Sequence, residues 1–224
     1  ERRHADAARL YRKCLDNDFS CVETATLHNY LVVSLLTKKY DLVSHAADMG
    51  ENFLAKYRNH VRVTDIAHLT ILCLDERSKL VKAESEKKTC MLKTVEIVDD
   101  LQHSGKADFR LVVNKSSAYC QLGNFKEALV AVDESFGYLK KKHNRYAKKY
   151  QHAMWYKAVI LGDLKKYKDS LDCWKKLLTF PKKPFTPEQK ESITKCKYGG
   201  KKSILGKLAT ATQVQNMIHS TFSI

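Results

Sequence analysis

The residues with the most chemical potential in this chain are its nine histidines and seven cysteines. Imidazoles and thiolates bind metals, attack electrophiles and move protons. Their spacing argues against all three uses. His4, His28, His45, His60, His68, His103, His143, His152 and His219 form no HExxH, no HxH and no His–Cys cluster at ligand spacing. Cys14, Cys21, Cys73, Cys90, Cys120, Cys173 and Cys196 are scattered, odd in number and contain no CxxC pair. Most sit among apolar residues, where a reduced cysteine is a small core filler. That usage points to an intracellular, reducing compartment. The stretch "KYGGKKSILG" carries the residue types of a phosphate loop. It lacks the G-x4-G-K-[ST] spacing and no strand precedes it. Asp99 and Asp100 read as a solvated pair near a helix end. The expectation is a protein that is not an enzyme and takes no metal and no cofactor.

Charge offers the best functional candidate. The net charge is +15, and it is not spread evenly. Residues 138–207 hold 20 Lys and Arg against five acids, while the remainder is balanced. Within that third, "YLKKKHNRYAKKY" places Lys140, Lys141, Lys142, Arg145, Lys148 and Lys149 among Tyr138, Tyr146 and Tyr150. Cations interleaved with aromatics can hold RNA through phosphate contacts and stacking. An acidic protein partner, steered electrostatically, fits the same residues. So does a solvated loop between helices whose tyrosines pack inward. No run of 18 or more apolar residues is present, so no segment reads as a membrane span.

These residues must be positioned by helices. The only prolines are Pro181, Pro184 and Pro187, so the first 180 residues contain no helix breaker of that kind. In "RLVVNKSSAYCQLG", Val112, Ser116 and Tyr119 share one helical face. Gly123 and Asn124 close that helix, and Phe125, Ala128, Leu129, Val132 and Phe136 face inward from the next. Ala128 is small because two helices approach closely there, and Tyr119 fills the wedge beside it. This is the helix–turn–helix unit of a tetratricopeptide-like repeat. A single such unit cannot bury its own face, so others are expected. "MWYKAVILGDLKKYKDSLDCWKKLL" repeats the plan, with Tyr167, Ser170 and Trp174 in the places of Phe125, Ala128 and Val132. "LHNYLVVSLLTKKYDLVSHAADMG" does so with Tyr40, Val43 and Ala47. "HADAARLYRKCL" reads as a second helix, with Ala7, Tyr11 and Cys14 inward. "VTDIAHLTILCLDERSKL" and "EKKTCMLKTVEIVDDL" read as a degenerate pair between them. The fold class predicted is all-α, a tetratricopeptide-like right-handed helical-repeat solenoid of about 10–11 antiparallel helices. The repeats occupy 1–180, a proline-containing connection 181–187, and further helices 188–224. The lysine and asparagine that a chaperone-tail clamp needs are replaced by Val113 and Ser117, then Trp155 and Val159.

The order of "AYCQLGNFKEAL", "LGDLKKYKDSLDCW", "LLTFP" and "KYGGKKSILGK" resembles the helical-repeat region of PCI-domain scaffold subunits. Such subunits build the proteasome lid, the signalosome and the third eukaryotic initiation factor. Within that group the order is most similar to the third-subunit family of the COP-nine signalosome, which removes the ubiquitin-like modifier Nedd8 from cullins. Gly199 and Gly200 stand where that family has apolar helix residues, and the family's winged-helix PCI half has no counterpart in the sequence. The resemblance implies a scaffold that contacts sister subunits, with no catalytic residue, since the family's protease is a different subunit. It places the chain in cytoplasm and nucleus and ranks protein partners above RNA.

Overall fold

The computed structural model of the chain describes residues 2–17, 24–139 and 146–179. Every regular element among them is an α-helix: α1 Arg2–Asn17, α2 Thr24–Thr37, α3 Tyr40–Lys56, α4 Val63–Leu80, α5 Glu84–His103, α6 Phe109–Gln121, α7 Phe125–Gly137, α8 Tyr146–Asp163 and α9 Tyr167–Thr179. Helices α1–α7 belong to one compact unit and α8–α9 to a second. Within each unit a helix packs mainly on its neighbours in sequence, the arrangement of a helical repeat. The all-α expectation is met. The proline connection 181–187 and the segment 188–224, with "KYGGKKSILGK", lie outside the described residues.

Three of the turns use one backbone device. Lys38 (φ 51°), Gly123 (φ 77°) and Lys165 (φ 60°) are left-handed, each two residues before the aromatic that opens the next helix. At the end of α6 the Asn124 N–H donates to the Tyr119 carbonyl at 2.9 Å and the Gly123 N–H to that of Cys120 at 3.0 Å. At the end of α8 Lys166 donates to Leu161 at 2.8 Å and Lys165 to Gly162 at 2.9 Å. These paired bonds satisfy carbonyls that a helix end otherwise leaves open. Glycine takes the left-handed conformation freely, whereas a lysine there bears a steric cost of about 1 kcal/mol. At Lys38 the α2 end is closed differently, by the Thr37 hydroxyl, which donates to the Ser34 carbonyl at 2.7 Å.

The α4–α5 connection lacks the device, which is why that pair reads as degenerate. Val81 (φ −83°, ψ 150°) and Ala83 (φ −73°, ψ 120°) are both extended. Side chains close it instead. Arg77, in the last turn of α4, donates from Nε and Nη2 to Glu86 Oε1 in the first turn of α5, at 3.2 and 3.1 Å. Arg77 also reaches Asp48 at 3.1 Å, and the Tyr40 hydroxyl donates to the same Glu86 oxygen at 2.8 Å. One guanidinium thus ties α3, α4 and α5. The Tyr40 hydroxyl and Arg77 together hold the Glu86 carboxyl below its ordinary range.

Small residues set the closest helix approaches. Ser116 of α6 and Ala128 of α7 are both fully buried, and the Ser116 hydroxyl donates to the Ala128 carbonyl at 2.8 Å. In α8–α9 the Ser170 hydroxyl donates to the Ala158 carbonyl at 2.7 Å. Gly50 of α3 lies against Thr70 of α4 so closely that an added Cβ would stand 2.1 Å from Thr70 Oγ1. The main core of the first unit gathers Leu27, Tyr30, Leu31, Val43, Phe53, Ile66 and Leu74, with Cys73 and Cys90 as fillers. Tyr30 is fully buried, and its hydroxyl meets His45 Nδ1 at 2.8 Å. On α1 the inward residues are Ala5, Ala8 and Leu15, while Cys14 is exposed and Ala7 half-buried. Tyr11 packs half-buried against the same core, as read from the sequence, but Leu15 rather than Cys14 is buried, because it is the larger apolar residue.

Candidate interaction surface

The first unit offers two rows of helices. The first helices of the hairpins, α2, α4 and α6, pack directly on one another. Polar pairs lace α4 to α6: Arg110 to Asp65 at 2.9 Å, Asn114 to His68 at 3.3 Å and Gln121 to Asp75 at 3.2 Å. The Cys73 thiol lies 3.9 Å from the Leu31 carbonyl on α2. Burial pushes the Cys73 and Cys90 thiols up, so neither is a ready nucleophile. His68 is held down to about 4, first by loss of solvent around its ring and then by the Arg110 charge.

The second-helix row is held differently. Lys93 of α5 pairs through Nζ with Glu51 of α3 at 2.5 Å, and Arg58, just past the end of α3, pairs with Asp100 of α5 at 3.4 Å. Lys115 of α6 pairs with Asp99 at 2.5 Å. Asp99 and Asp100, read from sequence as a solvated pair, thus face two different neighbours. Beside these links runs a groove of ≈ 500 Å³. Leu54, Val63, Ile97 and Leu101 give it an apolar floor, and Glu51, Arg58, Lys93, Glu96, Asp100 and Lys106 supply its charges. Lys106 Nζ donates to the Arg58 carbonyl at 2.5 Å and to Asn59 Oδ1 at 2.6 Å. Glu51 Oε1 is buried and has no hydrogen-bond partner among the described residues.

No family model, curated protein or solved structure matches this chain.

The sequence-derived candidates fall in separate places. Lys140, Lys141, Lys142 and Arg145 lie outside the described residues. Lys148 is exposed and Lys149 half-buried, both on α8. Of the packing residues, Ala128 and Ser170 are buried, Tyr119, Phe125 and Trp174 half-buried, Gly123 closes α6, and Tyr167 is 46% exposed. Val113 and Trp155 are buried at the positions where a chaperone-tail clamp would need polar side chains. Among the described residues no group of three or more His, Cys, Asp or Glu is placed to hold a metal ion. No described helix is long and apolar enough to cross a membrane. The groove was missed because no motif marks it. One signal existed: Glu51 and Lys93, like Arg58 and Asp100, are opposite charges 42 residues apart, the step that relates Ala128 to Ser170.

Proposed function

We propose that this chain is a non-catalytic helical-repeat scaffold of a large multiprotein complex, and that the complex is the signalosome that removes Nedd8 from cullin-RING ubiquitin ligases. The observation that carries the scaffold reading is the recurrence of one helical hairpin. Turn conformation, opening aromatic and buried Ser/Ala pair return after 42 residues at Gly123, Phe125 and Ala128, then Lys165, Tyr167 and Ser170. Stacked hairpins of this kind present extended surfaces for other proteins rather than a closed catalytic cleft. The choice of complex rests on motif order alone. Two of its four members lie on α6–α7 and α8–α9, and "LLTFP" begins at the end of α9.

The test is affinity purification of the full-length protein from its own cells, with intact-complex mass spectrometry and a Nedd8–cullin cleavage assay on the eluate. Recovery of a multisubunit complex that cleaves the conjugate supports the assignment. Recovery of the proteasome lid or of initiating ribosomal subunits moves it to another PCI-type assembly.

The concentration of positive charge in 138–207 favours a second reading, an RNA-binding helical repeat. Reversing the charge of Lys140, Lys141, Lys148 and Lys149 then abolishes a strongly salt-dependent retention of RNA. A scaffold shows only weak non-specific retention before and after the change.

A further inference from the structure

The turns that join α2 to α3 and α4 to α5 carry a surplus of positive charge. Lys38, Lys39 and Lys82 are exposed and make no ion pair among the described residues. The acids around them are engaged: Asp75 and Glu76 with Lys79, Glu84 with Lys87, and Glu86 with Arg77 and the Tyr40 hydroxyl. Asp41 is the exception, one exposed carboxylate against three ammonium groups. The Tyr40–Glu86 bond draws the two turns together at the edge where α2 and α4, packed directly on one another, both end. That edge also exposes apolar side chains, with Leu36 at 54%, Tyr40 at 43% and Leu80 at 37%. Lys38 is held left-handed at φ 51°, a conformation that glycine would adopt without steric cost. The same three residues recur in the second unit: Lys165 is left-handed at φ 60°, Lys166 follows it, and Tyr167 is 46% exposed. A lysine repeated where glycine would fit better points to a use for its charge.

We propose that this turn edge docks an acidic, amphipathic segment of a partner protein, its carboxylates met by Lys38, Lys39 and Lys82 and its apolar side chains by Leu36, Tyr40 and Leu80. Exposed ammonium groups steer carboxylates to the edge, and burial of the apolar side chains holds them there. An RNA strand would use the cations and the tyrosine ring but leave both leucines in water, so a peptide fits the edge better. The site belongs to the charge-balanced front of the sequence, not to residues 138–207, and is independent of the choice of complex.

The experiment is fluorescence anisotropy of the full chain with a fluorescein-labelled dodecapeptide of glutamates interspersed with leucines, beside the same peptide with serine for leucine. Saturable binding of the leucine peptide is expected, weakened about tenfold by Lys39→Gln combined with Lys82→Gln, and by a similar factor when serine replaces leucine. Lys13→Gln on α1, an exposed cation of another helix, should leave it unchanged. Lys38→Gly separates recognition from folding, since it should raise thermal stability while weakening binding. Absence of saturable binding overturns the proposal. So does binding that Lys39→Gln with Lys82→Gln weakens no more than Lys13→Gln does, which would mean diffuse attraction to basic charge elsewhere. Tighter binding of a labelled twelve-nucleotide uridine RNA, lost in the same double variant, overturns it in favour of a nucleic-acid ligand.

Discussion

The hydroxyl of Ser116 donates to the carbonyl of Ala128 at 2.8 Å, and 42 residues later the same two positions make the same bond with the roles exchanged. There Ala158 stands in the first helix and Ser170 in the second, and the serine donates back at 2.7 Å. The site therefore requires one methyl and one hydroxyl at a close helix crossing, and either helix can supply the hydroxyl. A side chain larger than serine would push the two helices apart.

Ser116→Ala should lower the stability of the first unit by about 1 kcal/mol, the usual net worth of a buried hydrogen bond. Adding Ala128→Ser should restore most of that loss, since the double variant reproduces the α8–α9 arrangement. Urea unfolding of the two variants beside the parent measures both values. A double variant less stable than the single one would refute the equivalence.

The left-handed lysines should be improvable. Lys165→Gly and Lys38→Gly are each expected to stabilise by about 0.5–1 kcal/mol, because glycine meets no steric penalty at positive φ. Gly123→Ala should destabilise by about 1 kcal/mol for the same reason. Thermal unfolding resolves shifts of that size.

Gly50→Ala should be among the most damaging single changes in the first unit, costing several kcal/mol through overpacking against Thr70. Thr70→Ala in that background removes the atom 2.1 Å away and leaves the Thr70 Cβ position at 3.0 Å. Partial recovery is expected, read as a positive coupling in a double-mutant cycle.

Acid should weaken the α4–α6 contact. His68 has its pKa lowered from 6.5 to about 4, so the folded state favours the neutral ring. Its Nδ1 faces the Asn114 amide nitrogen, a donor, and protonation there would set two donors against each other. Nearby Asp65 and Asp108 pull the other way but do not prevail. A depressed pKa contributes stability that is complete above 6.5 and is lost as pH falls from there toward 4. The contribution is on the order of 3 kcal/mol. His68→Gln should flatten the stability profile over that window, measured by denaturant titration at several pH values.

Most of the helices could be read from the chain because their apolar spacing is strong and their turns carry local signals. The Gly123–Asn124–Phe125 turn announces itself. Lys38 and Lys165 do not, since lysine has no intrinsic preference for positive φ, and only the aromatic two residues later marks them. The α4–α5 turn is opaque for the opposite reason. It is closed by Arg77 and Glu86, whose partnership depends on Tyr40 and Asp48 from another helix. On α1 Tyr11 packs inward as read, but Ala8 and Leu15 take the buried places read for Ala7 and Cys14, because alanines at 5, 7 and 8 support more than one register. The α3–α5 groove is built by residues roughly one repeat step apart, whose meeting is a property of stacking and not of any local motif.

Packing on sequential neighbours also governs how the chain acquires its structure. Nearly all contacts of α1–α7 join segments that follow one another closely, so each closes only a short loop and loses little chain entropy. Folds of that topology form quickly, and they form in order during synthesis, hairpin by hairpin from the N-terminus. The neutral front of the molecule can therefore be complete while the basic third is still being translated.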